Sequence, residues 1–332
     1  MSAAYFYDAE GRDREIALDE IGASHDLGPD QLVWFDVERG DEALLKRLAP
    51  MLELNPETIR TILSKKDLTR IVSFENYFQF TVTSAGSEKP QIDFVVGKEW
   101  LLTVRDEAVE YFQSYRDRDQ GESLLGRLSP LVLAASLLDW HFEEFQQASA
   151  DIQRKLDHID ASILGRRRTR PPLTTLARAR TEAARMRRRL DSHGPLVNAL
   201  LRPDFAPVAE EKQGEFFSVL ESHFERAKAS LERAREGIAS SFDLYATKTT
   251  QDTNDLVRLL TLVTVATGLG AALAGIFGMN FDIALFHTGL TGFSVAVAII
   301  LAVTGTIFLI AWLRGWLASE TGRHGTSRRR ND

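Results

Sequence analysis

The sequence predicts an α+β membrane protein with an N-terminal α/β cytoplasmic domain, a long helical stalk and two C-terminal transmembrane helices. Three observations predict it. Short alternating or apolar runs, bounded by turn residues, crowd the first third of the chain. All ten prolines lie at or before Pro207, so the remainder lacks the strongest helix breaker. Although 26% of the residues are charged, Asp282 is the only charged residue between Arg258 and Arg314.

Residues 1–125 form the expected α/β domain. Tyr5 to Asp8, Gln31 to Val37, Ile71 to Thr83, Ile92 to Val96 and Trp100 to Val104 read as strands. Between them Glu42 to Glu53 and Pro56 to Ser64 carry helical spacing, with Asn55 as N-cap and Pro56 at the first helical position. Residues 126–208 read as an antiparallel helical segment, in which Leu131 to Ile163 and Leu173 to Leu190 flank a basic, proline-marked break at Arg166 to Pro172.

Residues 209–255 are the stalk, and one helix can run from Glu215 to Phe277. At 1.5 Å per residue it would be roughly 95 Å long, more than a compact domain buries. Phe217, Leu220, Phe224, Ala227, Leu231, Ala234 and Ile238 alternate by threes and fours, the 3.5 period of a helix packed along a neighbour. That neighbour is a second copy of the chain, the chain's own preceding helices, or both.

Composition excludes several functions. A net charge of -7 does not suit general nucleic-acid binding, and the basic runs Arg166–Arg168 and Arg187–Arg189 read as solvated faces; no nucleic-acid partner is expected. Without cysteine there is no disulfide, thiolate metal site or thiol nucleophile. The opening segment has no apolar core of the kind an export signal carries. No phosphate loop, spaced Ser/His/Asp set or zinc-type spacing among the seven histidines points to an enzyme, and no cofactor is expected. His141, His158, His193 and His223 read as ordinary helix residues.

Residues 259 to 281 and Phe293 to Leu313 are uncharged and long enough to cross a hydrocarbon core of about 30 Å. The first transmembrane helix is assigned to 256–281, the outer loop to 282–291, the second helix to 292–314 and a basic tail to 315–332. Lys248, Arg258, Arg314, Arg323 and Arg328 to Arg330 flank the pair and none lies between the spans, so both termini are expected on the cytoplasmic side of the inner membrane.

The first span carries a stripe of small and polar residues at steps of three and four: Asp243, Thr247, Thr250, Asn254, Val257, Thr261, Thr264, Gly268, Ala271, Gly275 and Gly278. All but Val257 are small or polar. Leu259, Leu262, Val263, Ala266, Leu269, Leu273 and Ile276 form the opposite side and suit lipid or the second helix. Small residues at this spacing also serve close helix packing. Hydroxyls, an amide and a carboxylate on the same stripe favour a water-filled path instead. One helix cannot enclose such a path, so symmetric copies are expected around an axis.

Gly278, Met279 and Asn280 follow directly. The tripeptide ends the first of two C-terminal spans, a proline-free helix feeds it, Asn254 with Leu260 and Thr261 opens the span, and Asp243-Leu244-Tyr245 lies upstream. This combination resembles the CorA family of divalent cation transporters. Val33 to Asp36 and Trp100 to Val104 are similar to strand segments of that family, so the likeness covers nearly the whole chain, strongly from Asp243 onward.

The resemblance implies a homopentamer in the lipid bilayer that takes divalent metal ions as substrate, Mg²⁺ foremost, with Co²⁺ and Ni²⁺. It places an ion-recognising ring at Gly278, Met279 and Asn280, further metal-facing rings at Asn254 and Asp243, and an apolar gate at Val257 and Leu260. Asp282 and His287 are the titratable groups of the outer loop. Three departures accompany it. Leu269 and Ala271 stand where members often carry a proline and a hydroxyl, the outer loop is poor in charge, and the magnesium-sensing carboxylate of the long helix aligns with Val219. Two alternatives remain open: a ZntB-like Zn²⁺ transporter, including a proton-linked one, and a membrane-anchored helical scaffold.

Overall fold

A computed structural model describes residues 2–8, 13–17, 31–65, 71–86, 91–118, 129–165, 172–202, 205, 214–279 and 289–314. The chain divides into two compact units, Met1–Phe242 and Asp243–Asp332.

The first unit is built on a seven-stranded sheet with strands β1 (Ala3–Asp8), β2 (Arg14–Ile16), β3 (Gln31–Glu38), β4 (Val72–Ser73), β5 (Phe78–Thr83), β6 (Gln91–Val96) and β7 (Trp100–Arg105) in the order β2-β1-β3-β7-β6-β5-β4. Among the described strands only β3 and β7 pair in parallel; Val33 faces Trp100 and Val37 faces Val104. Both strands are buried on both faces, which is why they read as continuous apolar runs rather than as alternation. Helices α1 (Glu42–Met51) and α2 (Pro56–Leu63) contribute Leu44, Leu45, Leu48 and Ile62 to a core with Val33, Phe35, Val95 and Leu102. On the other face Trp34 and Phe94 meet Phe112 edge-on at 5.2 and 6.4 Å, from α3 (Glu110–Arg118).

Asp36 interrupts the apolar run of β3 yet is buried. Arg105 satisfies it with two parallel hydrogen bonds of 2.9 and 3.0 Å, as a buried carboxylate requires. Asn55 caps α2 as expected, its side chain accepting from the Glu57 N–H at 2.9 Å. Gly97 turns β6 into β7 with the Trp100 ring so close that a Cβ would lie 2.3 Å from it.

Two features differ from expectation. The Ile71 to Thr83 strand is broken into β4 and β5 by a turn closed by the Phe74 N–H donating to the Tyr77 carbonyl at 2.8 Å. Strand β2 and helices α3 and α6 (Gly194–Leu200) stand outside the expected elements, and they form because a neighbour pairs with or covers them.

Helix α4 (Pro130–Leu164) starts at Ser129, whose hydroxyl accepts from the Val132 N–H at 3.2 Å. Helix α5 (Pro172–Ser192) returns antiparallel to it: His141 meets His193 at one end and Lys155 meets Glu182 toward the other. Of the basic runs, Arg187 pairs with Asp191 and Glu232, and Arg189 donates to the Ser84 and Ala85 carbonyls, so both are used inside the chain; Arg166–Arg168 lie outside the described residues.

The stalk is one helix, α7 (Gly214–Gly278). Its first part runs parallel to α4 at a nearly constant sequence offset: Phe142 meets Phe224, Ser149 meets Ser230, and Leu156 lies against Gly237. Phe217, Leu220, Phe224, Ala227, Leu231, Ala234 and Ile238 are all buried. The 3.5-period stripe is therefore consumed by the chain's own helices and does not by itself call for a second copy. Together with α8 (Leu290–Leu313), α7 is long and apolar enough to cross a membrane.

Candidate functional site

The second unit begins at Asp243 with the remainder of α7. Thr250, Thr261 and Thr264 each donate to the carbonyl four residues back, Ala246, Val257 and Leu260, at 3.0, 2.8 and 2.8 Å. A hydroxyl that donates to its own helix keeps oxygen lone pairs outward as acceptors, the polarity a cation or its water shell needs. Thr249 and Thr253, off the stripe, do the same, so the stripe's distinction lies in its position. Before the span, Lys248 pairs with Asp252 at 2.9 Å and Arg258 with Asp255 at 3.7 Å.

Packing sorts the faces of the span. Leu262 and Ala266 are buried, Gly270, Leu273 and Phe277 partly so, and a Cβ on Gly270 would touch Thr304 Oγ1 at 3.9 Å and Ile300 Cγ2 at 4.0 Å of α8. This is the face packed on α8. Leu259, Val263, Leu269 and Ile276, grouped with it in the sequence, are exposed instead. Gly270 is the contact point that the sequence reading did not single out, because one glycine among several gives no signal of which neighbour it meets.

The small and polar stripe lies elsewhere. Asp243, Thr247, Thr250, Asn254, Val257, Thr261, Thr264, Gly268, Ala271, Gly275 and Gly278 are all exposed in the single chain. At about 100° per residue, Gly268 lies roughly opposite Ala266 and Gly270. A Cβ on Gly268, Gly275 or Gly278 would meet nothing within 4 Å, so packing within the chain does not account for these glycines. Leu260, at 67% exposure, and Val257, at 54%, are the large apolar residues beside this face.

Of the expected metal-facing residues, the two that are described, Asp243 and Asn254, are not brought together within one chain. Asp243 and Asn254 are separated by about 16 Å along the helix axis. Met279 closes the helix by donating its N–H to the Ile276 carbonyl at 3.2 Å and is exposed. Asn280, Asp282 and His287 lie outside the described residues. Val219 is half exposed between buried Phe217 and Leu220.

A family model described as CorA-like Mg²⁺ transporter protein matches residues 29–314. The cobalt/magnesium transport protein CorA of Thermotoga maritima is 21% identical over 250 residues, covering 72% of this chain and 70% of that protein. The complete structure of the CorA magnesium transporter from Methanocaldococcus jannaschii superposes with a TM-score of 0.70 at 16% identity, covering 95% of this chain and 98% of that one. The ZntB cytoplasmic domain from Vibrio parahaemolyticus superposes at 0.54 and 12% identity, covering 75% and 98%. With two apolar spans at the end of an α/β domain and a family match over most of its length, the chain belongs to the CorA-like Mg²⁺ transporter family, and is a membrane transporter of divalent cations rather than an enzyme.

Proposed function

We propose that five copies of the chain surround an axis in the inner membrane and import Mg²⁺, with Co²⁺ and Ni²⁺ as further substrates, both termini being cytoplasmic. The observation that carries this reading is the open space around Gly268, Gly275 and Gly278 on the face turned away from α8. Glycines in an apolar helix that touch nothing in their own chain fit a surface against which symmetry-related copies close while leaving a path.

In this reading Gly278, Met279 and Asn280 ring the outer mouth. Neutral amide and carbonyl oxygens suit an ion that sheds its water reluctantly, because they hold the hydrated ion without trapping it. Asn254 supplies a second ring and Asp243 an inner acidic one. Thr261 and Thr264 present hydroxyl acceptors between them, and Val257 with Leu260 forms an apolar constriction that gates by excluding water.

A second reading, a ZntB-like Zn²⁺ transporter, is favoured by one observation: Val219 stands where the resemblance to magnesium-gated members expects a carboxylate, and valine cannot ligate magnesium. Uptake into proteoliposomes under controlled membrane potential and pH gradient separates the two. Mg²⁺ entry driven by potential alone supports the first reading; Zn²⁺ entry that requires a proton gradient supports the second. Native mass measurement of the transport-active protein tests the pentamer, and an active monomer or dimer overturns it.

A further inference from the structure

Two histidines are sealed inside the first unit, far along the chain from the membrane segment. His141 of α4 is fully buried and His193, in the turn between α5 and α6, is 1% exposed. Their Nε2 atoms lie 3.4 Å apart. The Thr83 N–H, at the end of β5, donates to His193 Nε2 at 3.0 Å. A backbone N–H cannot accept, so His193 Nε2 carries no proton, and its proton sits on Nδ1, which donates to the Leu190 carbonyl at 3.2 Å. The contact between the rings then requires His141 to donate from Nε2. His141 Nδ1 is left as an acceptor, which the Tyr111 hydroxyl of α3 meets at 3.3 Å.

The chain of hydrogen bonds from Tyr111 through His141 and His193 to Leu190 is thus directional and complete with both rings neutral. We propose that this pair is an acid-release latch, joining α3, α4, the α5–α6 turn and the end of β5 only while neither imidazole holds a second proton. A proton added at His193 Nε2 occupies the lone pair that the Thr83 N–H meets, and sets that backbone donor against another donor. One added at His141 Nδ1 reverses the contact with Tyr111, whose hydroxyl must then turn to accept, and leaves an imidazolium among aromatic rings.

The surrounding groups offer an imidazolium little relief. Phe142, Phe145 and Tyr111 ring the pair, and α7 contributes Phe224, which packs on Phe142. Glu144 places Oε2 4.0 Å from His141 Nδ1, beyond hydrogen-bond reach, while its Oε1 accepts from Ser84 Oγ at 2.8 Å. Burial raises its pKa, so it tends to neutralise as the pH falls. Arg189 of α5, whose positive charge lies near Glu144, is tied to the Ser84 and Ala85 carbonyls.

Burial, and then the neighbouring His193, hold His141 well below the ordinary histidine pKa against a smaller upward pull from the Thr83 backbone. Burial lowers His193 to about 4 against the Leu190 and Arg189 carbonyls. Groups whose folded pKa is depressed stabilise the closed form above the unfolded pKa, near 6.5, and lose that contribution as the pH falls toward the folded value. The sensitive window therefore runs from about pH 6.5 down to about 4. Between pH 7 and 5 the opening equilibrium at this junction should rise roughly 20-fold for His193 alone, and further with His141.

Hydrogen exchange at the Thr83 amide, corrected for intrinsic rate, reads this directly in the full-length protein in detergent. A rise of that size between pH 7 and 5 is expected in the wild type. In the H141Q/H193Q variant, whose amides donate and accept but do not titrate, it should fall below about threefold. A folded double variant that keeps the full pH dependence overturns the latch. If the double variant does not fold, histidine-selective carbon NMR of the wild type decides. Either imidazole charging above pH 6 while Thr83 stays protected overturns the proposal; protection lost as the rings charge below that pH upholds it.

Discussion

Ser149 and Ser230 lock α4 to α7: the Ser149 hydroxyl donates to the Ser230 carbonyl at 2.8 Å and accepts from the Ser230 hydroxyl at 3.0 Å, and both residues are buried. The pair lies in the same packed row as Phe142 against Phe224 and Leu156 against Gly237. Sliding α7 by one residue would separate the hydroxyls and drive Gly237 away from Leu156. Ser149→Ala removes the donor and leaves the Ser230 hydroxyl without its acceptor, which should cost about 1–2 kcal/mol. Urea unfolding of the first unit, followed by far-ultraviolet circular dichroism, should show the lower midpoint with an unchanged slope; an unchanged midpoint would remove this pair from the register.

Flux should depend on which face of α7 is enlarged. Gly268→Leu fills the exposed stripe and should lower the initial uptake rate by at least about tenfold, a barrier increase near 1.4 kcal/mol. Val263→Leu, at an exposed position off the stripe, should change it by less than about twofold. Equal effects of the two variants would show that the stripe does not line the path.

Asn280→Ala should abolish transport or nearly so while leaving the oligomer intact, because the amide is proposed to meet the hydrated ion rather than the packed core. Uptake and native mass are measured on the same preparation. Wild-type transport by this variant would refute the role given to Gly278, Met279 and Asn280.

Cysteine is absent from the chain, so single cysteines report topology without background. Ser2→Cys and Asp332→Cys should both resist a membrane-impermeant thiol reagent added to intact cells and react after lysis, as the arginine bias requires. Labelling of either from outside contradicts cytoplasmic termini.

Regulation by internal magnesium should be weak. Val219 cannot ligate the ion, of the nearby carboxylates Glu215, Glu221 and Glu225 the last is engaged by Lys228 at 2.8 Å, and a ligand with no preferred state shifts no equilibrium. Millimolar Mg²⁺ should alter protease sensitivity and initial uptake by less than about twofold, a coupling under roughly 0.5 kcal/mol. Strong protection from proteolysis would restore a magnesium-gated reading.

The element order was largely legible in the sequence, since the cap at Asn55, the long proline-free helix and the apolar spans are local signals. The helix expected from Glu215 to Phe277 differs from the observed Gly214–Gly278 by one residue at each end. Elements without a long period escaped: β2 exists because Ala4, Tyr5 and Phe6 pair with it, and α3 because Phe112 is drawn against Trp34 and Phe94. His193, read as a helix residue, sits in a turn, and no periodicity could reveal that it meets His141 from the far end of another helix.

By itself the sequence determined composition-driven properties: two spans, because uncharged runs of that length need a lipid solvent, and one polar stripe, because helical spacing alone places those residues on one face. Tertiary structure decided what each face meets. The apolar stripe from Phe217 to Ile238 could have served a second copy or its own chain, since hydrophobic burial is non-directional and both offer apolar surface. Burial against α4 resolves that choice. The glycines could have packed on α8 or faced away from it, and only the placement of α8 against Leu262, Ala266 and Gly270 leaves Gly268, Gly275 and Gly278 open.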